Sequence, residues 1–163
     1  MLLTLDKINF SPMTNDDLAA YLRKSIPEYA YDQVQAGNWS SAEAINRSRA
    51  EFDQMLPQGL DTPNAVLVNV LMNAETKIGM MWYYIDPEKP VPTIYLLDFF
   101  LFPQFKSKGL EKPVLSGLEE SAKAGGARRI ELQIFAHRSE DLKMYLESGF
   151  SQTSILLAKN FPV

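Results

Sequence analysis

The order of secondary structure in the second half of the chain constrains the fold more than any other feature of the sequence. Thr93–Phe102 is an apolar run that predicts a buried strand, and Leu110–Ala124 carries apolar residues at helical spacing. Arg129–Phe135 then alternates between apolar and polar residues, which predicts a second strand. A strand, a helix and a strand in this order require a parallel pair of strands joined by a right-handed crossover. The chain therefore contains an α/β unit.

The first half of the chain predicts a strand and then two helices. Leu2–Phe10 reads as the first strand. Thr14, with Asp17 three residues later, forms a capping box and predicts the start of a helix. Pro27 should kink or end this helix, because proline lacks a backbone N–H. A second capping box at Ser40–Glu43 predicts the start of another helix.

The remaining elements predict a mixed sheet. Ala65–Met72 and Ile78–Ile85 are strand-like, and short turns join them to each other and to Thr93–Phe102, as in an antiparallel meander. After the α/β unit, Ser139–Ser148 predicts a short helix and Ser151–Lys159 a last strand. The sequence therefore predicts an α/β fold whose sheet is antiparallel early and parallel late.

The net charge and the content of cysteine and histidine exclude several classes of function. Sixteen Lys and Arg residues against 20 Asp and Glu residues give a formal net charge of −4, whereas nucleic-acid binders usually carry a concentrated basic face. The sequence has no cysteine, which excludes disulfides, iron–sulfur clusters and thiol nucleophiles, and His137 is its single histidine. We therefore expect neither a nucleic-acid partner nor a metal site.

Residues 1–163 are expected to form a single domain, because no repeat, low-complexity tract or long linker divides them. Met1–Phe10 contains charged residues and lacks the long apolar run of a signal peptide. The most apolar run, Thr93–Phe102, is too short for a membrane span of about 20 residues, and it contains Asp98. We expect a cytoplasmic protein with no membrane partner, and a homodimer remains open.

A polar, basic loop lies between the predicted strand Thr93–Phe102 and the helix that follows it. Lys106 and Lys108 in the loop, with Lys112 in the helix, place positive charge beside the helix N-terminus, where unpaired N–H groups attract anions. Gly109 lets a ligand approach the backbone closely. The loop thus indicates an anion-binding site, although a solvent-exposed loop with a permissive glycine would explain the same residues.

The segment Leu96–Phe150 resembles the GCN5-related N-acetyltransferase (GNAT) family in two motifs. The family's loop has the pattern Arg/Gln-x-x-Gly-x-Gly/Ala, and the corresponding run here is Lys106-Ser107-Lys108-Gly109-Leu110-Glu111. The family's later pattern, Asn-x-x-Ala-x-x-x-Tyr-x-x-x-Gly-Phe, aligns with Arg138–Phe150, where Tyr145 and the final Gly-Phe pair match. The first strand and the paired helices also fit, so the resemblance covers nearly the full chain.

The resemblance implies a GNAT-like α/β fold, with a mixed and mostly antiparallel sheet, a parallel central pair and flanking helices. It also implies an acyl-CoA-dependent N-acyltransferase, with acetyl-coenzyme A (acetyl-CoA) as co-substrate and a primary amine of a small molecule or a peptide as acceptor. In the family, the strand before the loop pairs with the pantetheine arm and the loop amides hold the phosphates. The residues assigned in this way to the cofactor are Phe99, Phe100, Leu101, Phe102, Lys106, Ser107, Lys108, Gly109, Leu110, Glu111, Lys112, Arg138 and Tyr145.

The resemblance also implies three candidate catalytic groups. The acceptor amine must be neutral to attack a thioester, so a base has to take its proton. Asp98 and His137 are the candidates for this base, and each could instead be a hydrogen-bonded structural residue. Tyr145 matches the family tyrosine that protonates the departing thiolate, although a packed helix aromatic would look the same.

Departures from the family's pattern favour an alternative function. Glu111 replaces a glycine or alanine where the family brings the diphosphate against the helix, and a carboxylate there repels phosphate. Arg138 stands where asparagine is common. The alternative is a non-catalytic GNAT-like binding or regulatory module that has lost efficient CoA binding. A hydrolase using a serine and His137 is a weaker alternative, because the sequence has no Gly-x-Ser-x-Gly elbow.

Overall fold

A computed structural model describes residues 7–163, which form one five-stranded sheet with helices packed on it. Met1–Asp6 lie outside the described residues, and with them Leu2–Asp6 of the predicted first strand. Two short 3-10 helices, Gly59–Asp61 and Pro103–Phe105, lie in connections. The main elements in chain order are β1 (Ile8–Pro12), α1 (Asn15–Gln35), α2 (Ala44–Met55), β2 (Ala65–Met72), β3 (Thr76–Asp86), β4 (Thr93–Leu101), α3 (Glu111–Ala124), β5 (Arg129–Glu131) and α4 (Ser139–Glu147).

The sheet has the strand order β1-β2-β3-β4-β5. Its first four strands pair antiparallel, with Phe10 opposite Val70 at the β1–β2 contact. β4 and β5 pair in parallel, with Ile94 opposite Ile130, and α3 connects them. The predicted antiparallel meander and the predicted parallel pair are both confirmed, as is the mixed α/β sheet.

Alternate residues of the strands belong to two apolar cores, because successive side chains of a strand point to opposite faces of the sheet. Met81 of β3 packs in the core that α3 and α4 cover, together with Val114 and Tyr145. Its neighbours Met80 and Trp82 pack in the core that α1 and α2 cover. The sheet is therefore the middle layer of three. Among residues 7–163, no helix is long and apolar enough to cross a membrane.

Helix α1 begins at the predicted capping box and continues through Pro27. The hydroxyl of Thr14 accepts the backbone N–H of Asp17 (3.2 Å), and the carboxylate of Asp17 accepts the N–H of Thr14 (2.9 Å). Pro27 does not end the helix, one of the two outcomes predicted for it, because α1 is one helix of 21 residues. Packing on α2 supports the helix there: the buried hydroxyl of Ser48 donates to the carbonyl of Ile26 (2.7 Å).

Helix α2 begins at Ala44, after the predicted capping box rather than within it. The carbonyl of Ser40 accepts the backbone N–H of Ala44 (3.1 Å), so Ser40–Glu43 forms a turn that precedes the helix. Glu43 is the residue at the N-cap, and no side chain caps the helix. The prediction that Ser40 caps α2 is therefore wrong, because the local backbone uses it in a turn.

The end of the chain differs most from the prediction. β5 comprises Arg129–Glu131 rather than Arg129–Phe135, because its pairing with β4 ends after Glu131. The predicted last strand, Ser151–Lys159, is wrong, since residues 151–163 form neither helix nor strand and all are exposed. A strand requires a neighbour for its backbone hydrogen bonds, and within residues 7–163 no strand pairs with this segment.

Candidate active site

A register shift in the middle of β4 directs an acidic side chain toward α1. Trp82 pairs with Asp98, whereas the next residue of β3, Tyr83, pairs with Leu96, so Leu97 has no partner in β3. Such an extra residue breaks the alternation of the strand and re-aims side chains. Leu97 packs in the core beneath α1 and α2, and Asp98 also reaches α1.

A cleft opens between β4 and β5 where their pairing ends, after Tyr95 and Glu131. They pair only between Thr93–Tyr95 and Arg129–Glu131. Beyond Tyr95, the edge of β4 that faces β5 has no strand partner among the described residues, so its N–H and C=O groups are available to a ligand. A cleft of about 640 Å³ lies here, lined by Leu96–Leu101 on one side and Leu132–Phe135 on the other.

Two hydrogen bonds from α1 hold Asp98 at the cleft. The hydroxyl of Tyr21 donates to Oδ2 of Asp98 (2.9 Å), and the hydroxyl of Ser25 donates to the same oxygen (3.2 Å). Burial raises the pKa of Asp98, and these hydrogen bonds with the charge of Lys24 offset part of that rise. Because both bonds end on Oδ2, Oδ1 is the oxygen left to accept a proton from a ligand in the cleft.

Tyr145 lines the same cleft from α4. It is buried, and its ring packs edge-on against Phe150 with 5.4 Å between the ring centroids. Burial raises the pKa of the Tyr145 hydroxyl, and the negative charges of Asp141 and Asp98 raise it further. The phenol therefore stays protonated at neutral pH, which suits a proton donor and does not suit a base.

The basic loop meets the cleft at the N-terminus of α3. Ser107 (φ +60°) and Gly109 (φ +72°) both have left-handed backbone, a conformation that glycine adopts without strain. α3 begins at Glu111, and its N-cap residue Leu110 supplies no side-chain hydrogen bond. The backbone N–H groups of the first turn are therefore available to an anionic ligand.

The structure brings most of the predicted site residues together. Those that line the cleft are Asp98, Phe99, Phe100, Leu101, Lys106, Ser107, Glu111, Arg138 and Tyr145. Those outside the set of lining residues are Phe102, Lys108, Gly109, Leu110, Lys112 and His137. The ammonium of Lys108 lies instead over the ring of Phe105, 5.7 Å from its centroid. The two lysines of the loop therefore have different surroundings, and of the two only Lys106 lines the cleft.

Arg138 and His137 share one buried carboxylate on α1. The guanidinium of Arg138 donates to Oδ1 of Asp32 from Nε (2.9 Å) and to Oδ2 from Nη2 (2.6 Å), and Oδ2 of Asp141 lies 3.4 Å from its Nη1. The hydrogen bonds to Asp32 raise the pKa of Arg138. Nε2 of His137 lies 2.8 Å from Oδ1 of Asp32, and the His137 ring stacks on Phe135. These contacts with Asp32 tie the start of α4 to α1.

In the part of the chain described, no group of three acidic or histidine side chains could hold a metal ion.

Helix α1 contributes cleft residues that were not predicted from the sequence. Tyr21, Ser25, Glu28 and Asp32 all line the cleft, and they recur every three or four residues on one face of the helix. Glu51 of α2 adds another carboxylate to the lining. Carboxylates outnumber the cations on this side, where Lys24 pairs with Glu28 (2.7 Å) and Arg138 pairs with Asp32 (2.6 Å). The sequence signal that could have identified the α1 residues is the polar stripe that they form at helical spacing.

The sequence matches the profile of the GNAT family and two related proteins. The profile of the acetyltransferase (GNAT) family matches residues 30–150. The chain is 32% identical over 152 residues to a protein named as the uncharacterized N-acetyltransferase YycN of Bacillus subtilis (strain 168), covering 93% of this chain and 97% of YycN. It is 30% identical over 147 residues to the uncharacterized N-acetyltransferase YdgE of the same organism, covering 90% and 94% of the two chains.

Solved structures agree with these sequence matches. The crystal structure of YycN has a TM-score of 0.92 to this chain at 30% identity, and the match covers 96% of this chain and 100% of YycN. The aminoglycoside N-acetyltransferase AAC(6′)-Iy, crystallised with CoA, has a TM-score of 0.59 at 13% identity over the whole of both chains, which is a likeness of fold alone. On the profile match and the two relatives, the chain belongs to the GNAT family of acetyltransferases.

Proposed function

We propose that this protein transfers the acetyl group of acetyl-CoA to a primary amine of a small molecule or a peptide, by direct attack within a ternary complex. The observation that carries the proposal is the cleft at the open edge of β4, which joins Asp98, Tyr145 and the N-terminus of α3. The fold-level likeness to AAC(6′)-Iy, which was crystallised with CoA, supports acetyl-CoA as the donor.

The cofactor would lie along β4 and end at α3. Phe99–Leu101 pair with β3 on one side, and the N–H and C=O groups on their other side are offered to the amides of the pantetheine arm, as a neighbouring strand would use them. The first-turn N–H groups of α3 and the ammonium of Lys106 attract the phosphates. Glu111 opposes them, because its carboxylate lines the same cleft as Lys106. We expect binding to survive this repulsion, since the helix N-terminus and the lysine outweigh one solvated charge.

The acceptor would enter from the side of α1 and α2. Lys24 pairs with Glu28 (2.7 Å), whereas the carboxylate of Glu51, among the described residues, accepts only the neutral hydroxyl of Tyr29 (2.8 Å) and attracts a protonated amine. Asp98 lies on β4 and lines the same cleft, held by hydrogen bonds from α1. An amine drawn into this end of the cleft therefore approaches the carboxylate that the proposal assigns as its base.

Asp98 and Tyr145 would divide the proton transfers. Oδ1 of Asp98 takes a proton from the ammonium group, and the neutral nitrogen forms a bond to the acetyl carbonyl carbon. The C–S bond then breaks, and the sulfur takes the proton of the Tyr145 hydroxyl, so that CoA leaves as a thiol. The second proton lost by the nitrogen restores the phenol through solvent, and Asp98 releases its proton to solvent, so the products are the amide, the thiol and one proton. His137, tied to Asp32, receives no step in this proposal.

Calorimetry with acetyl-CoA and a thiol-release assay with a panel of amines test the proposal together. We expect acetyl-CoA to bind with a dissociation constant in the micromolar range, about 8 kcal/mol of binding free energy. We also expect at least one amine to cause release of CoA thiol. An absence of binding heat at millimolar acetyl-CoA would instead favour the non-catalytic GNAT-like module.

A further inference from the structure

A second, apolar pocket of about 390 Å³ adjoins the cleft on the face of the sheet that α1 and α2 cover. Met55, Trp82, Tyr95 and Leu97 line both the pocket and the cleft, so the two spaces meet at these side chains. A cavity of about 150 Å³ holds benzene, and this pocket is larger. It therefore has room for an apolar ring and for a short linker to the cleft.

The floor of the pocket lies beside the proposed base. Trp82 and Tyr84 alternate along β3 and so point to the same face of the sheet, and Tyr95 is the register partner of Tyr84 in β4. The register shift places Leu97 on this face as well, directly before Asp98 in the chain. Tyr95 is three residues from Asp98, a distance of at most roughly 10 Å along the strand. A ligand whose nitrogen lies at Asp98 therefore reaches the pocket through a short linker.

The charged side chains of the pocket lining, and Thr93, already have partners within the chain. The ammonium of Lys89 pairs with the carboxylate of Glu131 (3.4 Å). The carboxylate of Asp86 accepts a backbone N–H two residues later (3.0 Å), and the hydroxyl of Thr93 donates to a backbone carbonyl two residues earlier (2.7 Å). The other lining side chains are aromatic or aliphatic. The pocket therefore offers a ligand mainly hydrocarbon surface, which selects an apolar group.

We propose that this pocket binds the hydrocarbon part of the acceptor, and that the protein therefore prefers primary amines that carry an aromatic ring a few methylene groups from the nitrogen. The inference rests on the proposed function, because it names the class of amine that the cleft would acetylate. The nitrogen would lie at Oδ1 of Asp98, and the chain that joins it to the ring would pass Leu97 and Trp82. The ring would cover Met55 and Tyr84, which are 44% and 37% exposed.

Two amines that differ only by a ring test this preference in the thiol-release assay. With acetyl-CoA at saturation, kcat/KM is measured for 3-phenylpropylamine and for propylamine. Burial of a phenyl-sized group should make kcat/KM at least about tenfold higher for the amine that carries the ring. Equal values for the two amines would overturn the proposal, although both amines would still be acetylated and the proposed function would stand.

Two matched double variants test where the ring binds. Met55→Gln with Tyr84→Gln makes the pocket polar at two partly exposed positions, one in α2 and one in β3. Ile45→Gln with Ile85→Gln is the control, because it changes one residue of each element that is 43% exposed and is not among the lining residues. We expect the preference for the ring to be largely lost in the first variant and kept in the second. An unchanged preference in the first, or an equal loss in both, would contradict the proposal.

Calorimetry separates this proposal from the proposed function, because binding requires no chemistry. Each amine is titrated into the unmodified protein, first alone and then with CoA at saturation. We expect 3-phenylpropylamine to bind at least about tenfold more tightly than propylamine, and the Met55→Gln, Tyr84→Gln variant to lose this difference. Tighter binding of the ring without any release of thiol would support the pocket and remove the proposed function. Turnover of both amines without tighter binding of the ring would keep the proposed function and overturn the pocket.

Discussion

Asp98 in β4 and Tyr145 in α4 line the same cleft, and they interact electrostatically. Burial raises the pKa of the Tyr145 hydroxyl most, and the charges of Asp141 and Asp98 raise it further. Burial also raises the pKa of Asp98. A protonated phenol can donate a proton and an ionised carboxylate can accept one, and these are the roles that our proposal gives to Tyr145 and Asp98. The pair is the basis of the first two predictions.

Replacing Tyr145 by phenylalanine should lower kcat with little change in acetyl-CoA affinity. The substitution removes one hydroxyl and keeps the ring on Phe150, so packing is preserved. General acids contribute about 10²–10⁴-fold, and kcat should fall by that factor. Tyr31→Phe, which alters an exposed hydroxyl, is the matched control. If the Tyr145 variant keeps more than about half of the normal rate while chemistry limits turnover, Tyr145 has only a packing role.

The pH dependence of kcat/KM should report the ionisation of Asp98. A carboxyl group acts as a base only when it is ionised, so kcat/KM should rise as pH rises through the raised pKa of Asp98. Asp98→Asn should abolish that ascending limb and most of the activity. The variant should also gain stability relative to the unmodified protein as pH rises, because a raised folded-state pKa means that ionisation destabilises the fold. An unchanged pH profile in Asp98→Asn would assign the base to another group.

Replacing Glu111 by glutamine should tighten acetyl-CoA binding. The carboxylate lines the cleft beside Lys106, and removing its charge should gain about 1 kcal/mol, near fivefold in affinity. The melting temperature should fall slightly, since an acidic residue in the first turn stabilises a helix by about 0.3–1 kcal/mol. Calorimetry measures the first effect and thermal unfolding the second. Unchanged or weaker binding would mean that Glu111 does not face the phosphates.

Asp17 should stabilise the protein at neutral pH and lose that effect in acid. Its carboxylate accepts hydrogen bonds from Lys77 and Asn69 as well as from the helix cap. Burial alone would raise the pKa of Asp17, but these hydrogen bonds outweigh it and hold the pKa well below the ordinary 3.8. The stabilisation is complete above the unfolded-state value and is lost as pH falls toward the folded-state pKa.

Asp17→Asn should therefore cost about 1–2 kcal/mol of unfolding free energy at neutral pH, and less as the pH falls below 3.8. Urea unfolding at several pH values measures this difference. Asp16→Asn is the control, because Asp16 is an exposed neighbour in the same helical turn. Equal effects of the two substitutions would show that Asp17 acts only through the helix dipole.

Gly79 should tolerate no side chain. A Cβ atom built on Gly79 would lie 2.2 Å from the carbonyl oxygen of Phe100, a backbone atom of β4. Gly79→Ala should therefore separate β3 from β4 and destabilise the protein by several kcal/mol, about 3 or more by analogy with overpacked cores. In Gly125→Ala the nearest atom is an ordinary 3.5 Å away, so its effect on the melting temperature should be small. A stable Gly79→Ala variant would show that the two strands can move apart without cost.

Local patterns in the sequence were sufficient for most elements of the fold. β2, β4, α3 and α4 lie within one or two residues of the predicted Ala65–Met72, Thr93–Phe102, Leu110–Ala124 and Ser139–Ser148. Their boundaries depend on apolar periodicity and on glycine and proline, all of which act within a few residues. The parallel pairing of β4 with β5 also follows from element order alone, because a helix between two strands of one sheet leaves little choice of topology.

Part of the candidate site could also be predicted from sequence. Lys106, Ser107 and Tyr145 were assigned through the resemblance to two motifs of the GNAT family, and they do line one cleft. Asp98 was a candidate base, but the register shift at Leu97 that turns it toward α1 leaves no mark in the sequence of β4. The partners Tyr21 and Ser25 were missed for the same reason, since their role exists only when α1 crosses β4.

The sequence alone determined the order of the elements, the family and the residues around the anion-binding loop, because these depend on neighbours along the chain. Tertiary structure decided which polar groups meet. It paired Arg138 and His137 with Asp32, residues more than a hundred positions away, and left His137 outside the cleft lining. It also left Ser151–Lys159 unpaired. Strand formation and ion pairing both require a partner in space, and apolar periodicity carries no information about where that partner lies.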